Sequence, residues 1–522
     1  MTEANAHWLR ILARGAAIWT AVWAAISLVH APLLRLPYYW DEAGYYIPAA
    51  YDFFRFGTLI PQTTLSNAHP PLPSFWLALG WRVFGFHPVT TRLSVTAVSA
   101  LALLAIYRIA RTAASQPVAL AVAGLTALYP VWFAQNTLAH ADIFAAAATL
   151  WGLAFLVEAQ PAFAAAAACF CVAALCKETA VVTPLGLAAW LLLRDWRAGA
   201  PQLKQAAWLV TPVFPLCVWY FYHWHTTGYV FGNPEYLRYN ATGTMHASRI
   251  FFAFSQRLWH VAGHMNLWVA ALISLAVWLL PVRTDAGPVR MSREGRNVLG
   301  VAFVTNVVAF SFLGGALLTR YLLPLFPLVL LFHVVFWQRR TRYWSWAAAV
   351  TGLAFVIGWT VDPPYTFAPE DNLDYAAAIR LDQSAIQETL RSNPHPVVLT
   401  AWPVTDYLSK PELGYVAEPI AVLPIADFTL DSLLAAREQK YSETLLFSTK
   451  DAPAHDFHPL QSWFAPTNRA FFGLHHDLPP EYAARVLGGT LAWEASNHRL
   501  WAAVVRFDAP IDAKRAPHRR PF

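Results

Sequence analysis

The sequence predicts a mainly α-helical, polytopic membrane protein that ends in an α/β domain outside the bilayer. Three observations carry this reading. Only 13% of the 522 residues are charged, about half the roughly 25% of soluble domains. Apolar runs of about 20 residues, long enough to cross a bilayer, recur through the first two thirds of the chain. Beyond Asp362-Pro363-Pro364 the charge density returns to that of a soluble domain.

The apolar runs predict eleven spans, at about 15–34, 91–110, 117–134, 137–157, 162–176, 180–194, 206–224, 259–280, 298–318, 322–337 and 344–361. Arg10 and Arg14 lead into the first run. No small-residue cleavage pattern follows it, so it reads as a retained span and not as a signal peptide. The stretch Pro71 to Phe86 is apolar but short, and Gly80, Arg82 and Gly85 interrupt it. It reads as an interfacial helix. Cys169, Cys171 and Cys176 sit among alanines with no histidine nearby, and Cys217 lies in an apolar run. These cysteines read as helix packing, not metal ligands.

Charge orients the bundle. With the N-terminus inside, the inner loops collect fourteen basic residues, Arg283, Arg290, Arg293 and Arg296 among them, against five acidic ones. That bias follows the positive-inside rule. The basic balance therefore reflects topology, and no basic-aromatic motif points to nucleic acid. In this orientation Asp41, Glu42, His69, Asp142, Lys177, Glu178 and Arg320 all fall at the outer face.

The domain boundaries follow from the same texture: a membrane module over 1–361 with a long first outer loop at 35–90, an outer α/β domain over 362–513, and a disordered basic tail over 514–522. In the outer domain a helix-like run near 373–391 precedes the strand-like Val397 to Thr400. Ser432 to Tyr441 reads as a helix before a strand at Thr444 to Phe447, and Trp501 to Val505 reads as a late strand. No Gly-rich nucleotide loop occurs there, so the domain is assigned no chemistry.

The chemistry concentrates around Tyr38-Tyr39-Trp40-Asp41-Glu42 in the first outer loop. Ionisable groups at a membrane edge are costly and mark sites. Moving a sugar from a lipid phosphate to a hydroxyl needs a base near the hydroxyl and cations for the departing phosphate. Asp41 suits the first role, Lys177 and Arg320 the second, and His69 suits a phosphate oxygen. Plainer readings stand beside these. Lys177-Glu178 also reads as an interfacial pair, Arg320 as a snorkelling side chain, Asp142 as a helix N-cap and His69 as a turn residue before Pro70.

Taken in order, Asp41-Glu42, His69-Pro70-Pro71-Leu72, Ala139-His140-Ala141-Asp142, Cys176-Lys177-Glu178-Thr179-Ala180 and Thr319-Arg320-Tyr321-Leu322-Leu323-Pro324 resemble the landmarks of the integral-membrane GT-C glycosyltransferases. The likeness is to the protein mannosyltransferase group, which includes transferases that modify lipid A with aminoarabinose, and it covers about 15–340. The resemblance implies an enzyme that takes a sugar from a polyprenyl-phosphate donor in the membrane and passes it, with inversion, to an outer acceptor on a glycan, lipid or protein. It implies a bacterial inner-membrane location. It implies that Asp41, with Glu42, supplies the base, that Asp142 builds the acceptor side, and that Lys177 and Arg320 hold the donor phosphate. Some lipid-A-modifying relatives carry a lysine where this chain has His69, which leaves the phosphate role of His69 open. Some relatives use a divalent metal and others do not, and no metal or other cofactor is assigned. The segment 225–257, with Tyr236, Arg238 and Arg249, reads either as a lid over the donor or as an amphipathic surface segment.

The contrasting class is a transporter or flippase of lipid-linked sugars. Such a protein places ionisable groups at the midplane, often between repeated halves. Here they gather at one face and no repeat occurs. The topology is testable directly: a reporter fused after Val361 is expected to be active only outside the cytoplasm, and one in the 283–296 loop only inside. The opposite pattern would remove the shared outer face.

Overall fold

In the computed structural model, residues 3–197, 199, 202–286, 290–448, 466–472 and 477–507 are described. The basic tail expected at 514–522 lies outside them. The chain forms two compact units. One is helical and comprises Met1–Arg35 and Pro48–Asp362. The other comprises Leu36–Ile47 and Pro363–Phe522.

Among the described residues, four helical runs of the first unit are long and apolar enough to cross a membrane: Leu12–Val29, Pro88–Ala113, Ala247–Trp278 and Arg293–Phe312. Shorter apolar helices occupy Gln116–Leu128, Ala141–Leu156, Phe163–Cys176 and Trp344–Ile357. The first helix is attached to Pro88–Ala113 by indole hydrogen bonds, Trp19 Nε1 donating to the Ala97 carbonyl and Trp23 Nε1 to that of Leu93, both at 3.0 Å. Elsewhere a small residue sets the approach. A Cβ on Gly152 would lie 2.6 Å from the Phe170 ring, so helices Ala141–Leu156 and Phe163–Cys176 pack closer there than any other residue permits.

Two features depart from a simple row of spans. First, the expected spans at 117–134 and 137–157 are separated by a deeply buried stretch, Asn136 to His140, that is not regular helix. Irregular backbone inside an apolar bundle requires internal partners. Arg92, itself buried, donates to the Thr137 carbonyl at 2.7 Å, and His140 Nδ1 meets Gln135 Oε1 at 2.9 Å. Ser99 donates to Asn136. Second, the run expected to begin near 259 begins at Ala247. Arg249 and Arg257 make that first stretch look like a loop to a hydropathy count, yet both are buried and spent on carbonyls. The run also breaks at Met265 and Asn266, whose φ of 47° and 66° lie in the left-handed region. Asn266 is held there by its side chain, which donates to the Ala354 carbonyl at 2.7 Å.

The second unit contains a five-stranded sheet of order β2-β1-β3-β5-β4, built from β1 Val397–Ala401, β2 Ala421–Ile425, β3 Glu443–Phe447, β4 Thr490–Asn497 and β5 Leu500–Arg506. β1 pairs in parallel with β2 and β3, whereas β5 runs antiparallel to β3 and β4. Helix Asp374–Ser392 matches the expected run at 373–391, but helix Leu430–Ala436 is shorter than the expected Ser432 to Tyr441. β2 and β4 were not expected from sequence. β2 contains Pro424, which an edge position tolerates because no ladder donor is needed on its free side. β4 alternates half-buried and exposed residues and reads as half-polar.

Asp382, on the long helix of this unit, is only 7% exposed. Burial pushes its carboxyl up to about 8. The folded chain then keeps a proton that the unfolded chain has released, from the ordinary carboxylate range near pH 4 up to about 8. Stability is expected to fall as pH rises through that window, by at most about 1.4 kcal/mol per pH unit. Thermal unfolding of the full chain in detergent at pH 5 and pH 8 checks this, since Asp382→Asn should lack that component of the slope.

Candidate active site

In the helical unit the buried stretch Asn136 to His140 delivers the chain to helix Ala141–Leu156, with Asp142 in its first turn. A carboxylate is favoured there by the exposed N–H groups of the helix start, but its main partners are two cations from distant segments. Lys177 Nζ lies 2.6 Å from Asp142 Oδ1, and Arg320 Nε lies 3.3 Å from Oδ2. All three residues are buried.

Local structure aims each cation. Lys177 stands where helix Phe163–Cys176 ends, in extended backbone before the short 3-10 turn Glu178–Val181. Arg320 lies in the 3-10 turn Thr319–Leu322 that precedes helix Phe326–Arg340. Tyr321 extends the cluster: Lys177 Nζ is 4.1 Å from its ring centroid, with the guanidinium carbons of Arg257 and Arg320 at 5.7 and 5.9 Å. A cation over a desolvated ring gains up to about 2 kcal/mol. A small cavity of about 20 Å³, lined by Asp142, Lys177, Asn306, Arg320 and Tyr321 among others, opens beside the cluster.

His69 joins through the next residue of the chain. Its Nδ1 is 2.9 Å from Glu178 Oε2, and its Nε2 is 3.3 Å from the Tyr236 hydroxyl. The segment leading to it is strapped to 219–233. Trp219 Nε1 donates to the Ala68 carbonyl at 2.8 Å and the Asn233 N–H to that of Ser66 at 3.0 Å. Gly232, at φ +82°, lies against the backbone of Asn67, where a Cβ would come within 2.7 Å.

Of the segment considered as a lid, Tyr236 and Arg238 lie on the short helix Pro234–Asn240, where Asn233 caps the N-terminus. Arg238 is exposed and paired with Glu235. Arg249 is buried and donates to the Ser311 carbonyl at 2.9 Å and to Gly314, holding the chain just after helix Arg293–Phe312. Arg257 does the same with Phe310 and Leu318.

Asp41 and Glu42 belong to the other unit. Glu42 is fully buried, and its Oε2 accepts the Tyr39 N–H at 3.0 Å, closing the turn on which Asp41 sits half-exposed.

Sequence reasoning placed Glu178 with the outer-face charges and Arg257 in the 225–257 segment, and quoted Tyr321 beside Arg320, but gave none of the three a role in the site. Arg257, like Arg249, carried a signal of its own, a charge near an otherwise apolar run.

Residues 68–221, which hold His69, Asp142 and Lys177, match the family described as dolichyl-phosphate-mannose-protein mannosyltransferase. Among solved structures the chain is similar to ArnT from Cupriavidus metallidurans. The apo form aligns with TM-score 0.54 and 16% identity over 94% of this chain and 98% of that one. The form bound to undecaprenyl phosphate aligns with TM-score 0.52 and 16% identity over 93% and 98%. No curated protein matches the chain by sequence.

The cluster makes a stability prediction. Removing one member of a buried ion pair strands the other, at about 3–5 kcal/mol. Asp142→Asn strands two cations and is expected to lower the melting temperature of the full chain in detergent by several degrees. Lys177→Met leaves Arg320 to neutralise Asp142 and should cost less. Equal melting temperatures for Asp142→Asn and wild type would mean that the ion cluster is not holding these segments together.

Proposed function

We propose that this chain transfers a sugar from a polyprenyl-phosphate donor to an acceptor hydroxyl outside the cytoplasm. The observation that carries this reading is the buried pairing of Lys177 and Arg320 with the single carboxylate of Asp142, beside Arg257 and Tyr321. Two cations held by one carboxylate leave an excess of positive charge, which suits a phosphate. The ArnT structure bound to undecaprenyl phosphate supports the same donor class.

In this reading Lys177 and Arg320 bind the donor phosphate, which displaces Asp142 in part. His69, oriented by Glu178, hydrogen-bonds a phosphate oxygen. The acceptor oxygen attacks the anomeric carbon from the face opposite the phosphate. The bond from that carbon to the phosphate oxygen breaks, and the polyprenyl phosphate leaves with the electron pair. Asp41 takes the acceptor's proton, and the cations stabilise the charge gathering on the leaving phosphate. Asp142 keeps the cations in place between turnovers. Helix Pro234–Asn240, with Tyr236 on His69 and Arg249 anchoring the following segment, acts as the lid. We place the protein in the bacterial inner membrane with eleven spans, the N-terminus inside, and the 35–90 loop and C-terminal domain outside.

A panel of polyprenyl-phosphate sugars tests the reaction by release of free polyprenyl phosphate. Asp41→Asn should lower turnover by about 10²–10⁴, the usual worth of a positioned base, with donor affinity near wild type. Arg320→Ala should weaken both donor binding and turnover. Turnover unaffected by either change, in protein that stays folded, would remove the assignment.

A further inference from the structure

The loop 36–47 is built into the C-terminal unit, and the contacts there are directed at its backbone. The Tyr415 hydroxyl donates to the Tyr38 carbonyl at 3.1 Å. The Trp40 N–H donates to the Tyr407 hydroxyl at 3.0 Å. The two tyrosine rings stack on each other, centroids 4.0 Å apart and 10° from parallel, so the two hydroxyls are presented as one rigid fork. Tyr407 is fully buried.

Between these two anchors the backbone is strained. Trp40 has φ 49°, in the left-handed region that a bulky residue rarely adopts. Such a conformation costs of order 1–3 kcal/mol and persists only where its surroundings over-determine it. Here the Tyr407 bond fixes the Trp40 N–H, and the Trp40 ring packs edge-on against Trp402, centroids 5.1 Å apart. The Trp40 carbonyl in turn accepts the Gly44 N–H at 2.8 Å. A third constraint falls on Gly44, where a Cβ would lie 2.6 Å from Trp402 Cζ2. The indole of Trp402 therefore lies directly on the loop backbone and receives a hydrogen-bonding anchor of its own, Nε1 donating to Asp406 at 3.2 Å. Asp41 is the residue immediately after the strained one and three before Gly44.

We propose that Tyr407, Tyr415 and Trp402 are positioning residues for Asp41, which makes the C-terminal unit part of the machinery of transfer. The proposal rests on the reading of Asp41 as the base. It departs from the sequence-based expectation that the outer domain has no part in the chemistry. None of the three needs to touch substrate, because they act by fixing the loop that carries the carboxylate. A base displaced by about 1 Å loses on the order of 10²-fold in rate, whereas the donor phosphate has its own cations.

The test uses the full chain in detergent, with donor turnover, affinity for undecaprenyl phosphate, and hydrogen exchange of the 38–46 amides as readouts. Tyr407→Phe keeps the ring stack and removes only the oxygen that accepts from Trp40. It should lower kcat by about ten- to a hundredfold, leave undecaprenyl phosphate affinity within about twofold, and speed exchange of the Trp40 amide by about three- to tenfold. Tyr415→Phe should act in the same sense through Tyr38. Gly44→Ala should lower kcat in the wild-type background, and should add nothing further in a Trp402→Ala background, where the space for its methyl already exists. Wild-type kcat and exchange in both tyrosine variants, or strictly additive losses in the Gly44 and Trp402 pair, overturn the positioning role. Wild-type turnover in Asp41→Asn overturns the base assignment and the proposal with it. An Asp41→Asn loss alongside silent tyrosine variants overturns the positioning role alone.

Discussion

The neutralisation of Asp142 by Lys177 and Arg320 is the interaction around which the helical unit is arranged. The three side chains come from a helix start, a helix end and a 3-10 turn that are far apart in sequence. All are buried, and none can be left unpaired in a low-dielectric interior without a penalty of several kcal/mol. Meeting one another is the way each meets that demand, so the ion cluster fixes how three otherwise apolar segments register. Nearby, the irregular buried stretch Asn136 to His140 is satisfied by Arg92 and by the side chain of Gln135 at the preceding helix end. Arg249 and Arg257 satisfy the carbonyls around the end of helix Arg293–Phe312. The unit spends its few charges on places where the backbone leaves regular helix.

Buried carboxylates are satisfied in more than one way. In the helical unit Asp142 is paired with two cations, whereas Asp52 accepts the backbone N–H groups of Gln62 and Thr63. In the C-terminal unit, Glu42 is buried by turning its carboxylate onto the backbone N–H of Tyr39, and Asp382 is buried with its carboxyl held protonated into the neutral range. The aromatic residues are also used differently. Tyr321 lies under cations, whereas Tyr407 and Tyr415 use their hydroxyls to grip a strained backbone.

The membrane character and the helical class were legible because composition and apolar periodicity are local properties. Helix Asp374–Ser392 and strands β1, β3 and β5 were legible for the same reason. β2 was hidden by Pro424, because whether a strand tolerates proline depends on its being at an edge. The start of helix Ala247–Ala262 was hidden by two arginines, because a hydropathy count cannot know that a guanidinium will be spent on the carbonyls of another segment. His69, Asp142, Lys177 and Arg320 stood out as costly charges. Their links through Glu178, and over Tyr321, are pairings across long stretches of chain that no local pattern encodes.

The sequence by itself determined that apolar helices would enter a membrane and that a handful of charges at their ends would have to be accounted for, since both follow from the cost of placing polar groups in hydrocarbon. Only the tertiary structure decided which charge answers which. It made Asp142 the shared counter-ion of two cations, turned Arg249 inward, and built residues 36–47 into the C-terminal unit. The physical reason is that burial penalties act on each residue alone, whereas their relief depends on distances that exist only once the chain has folded.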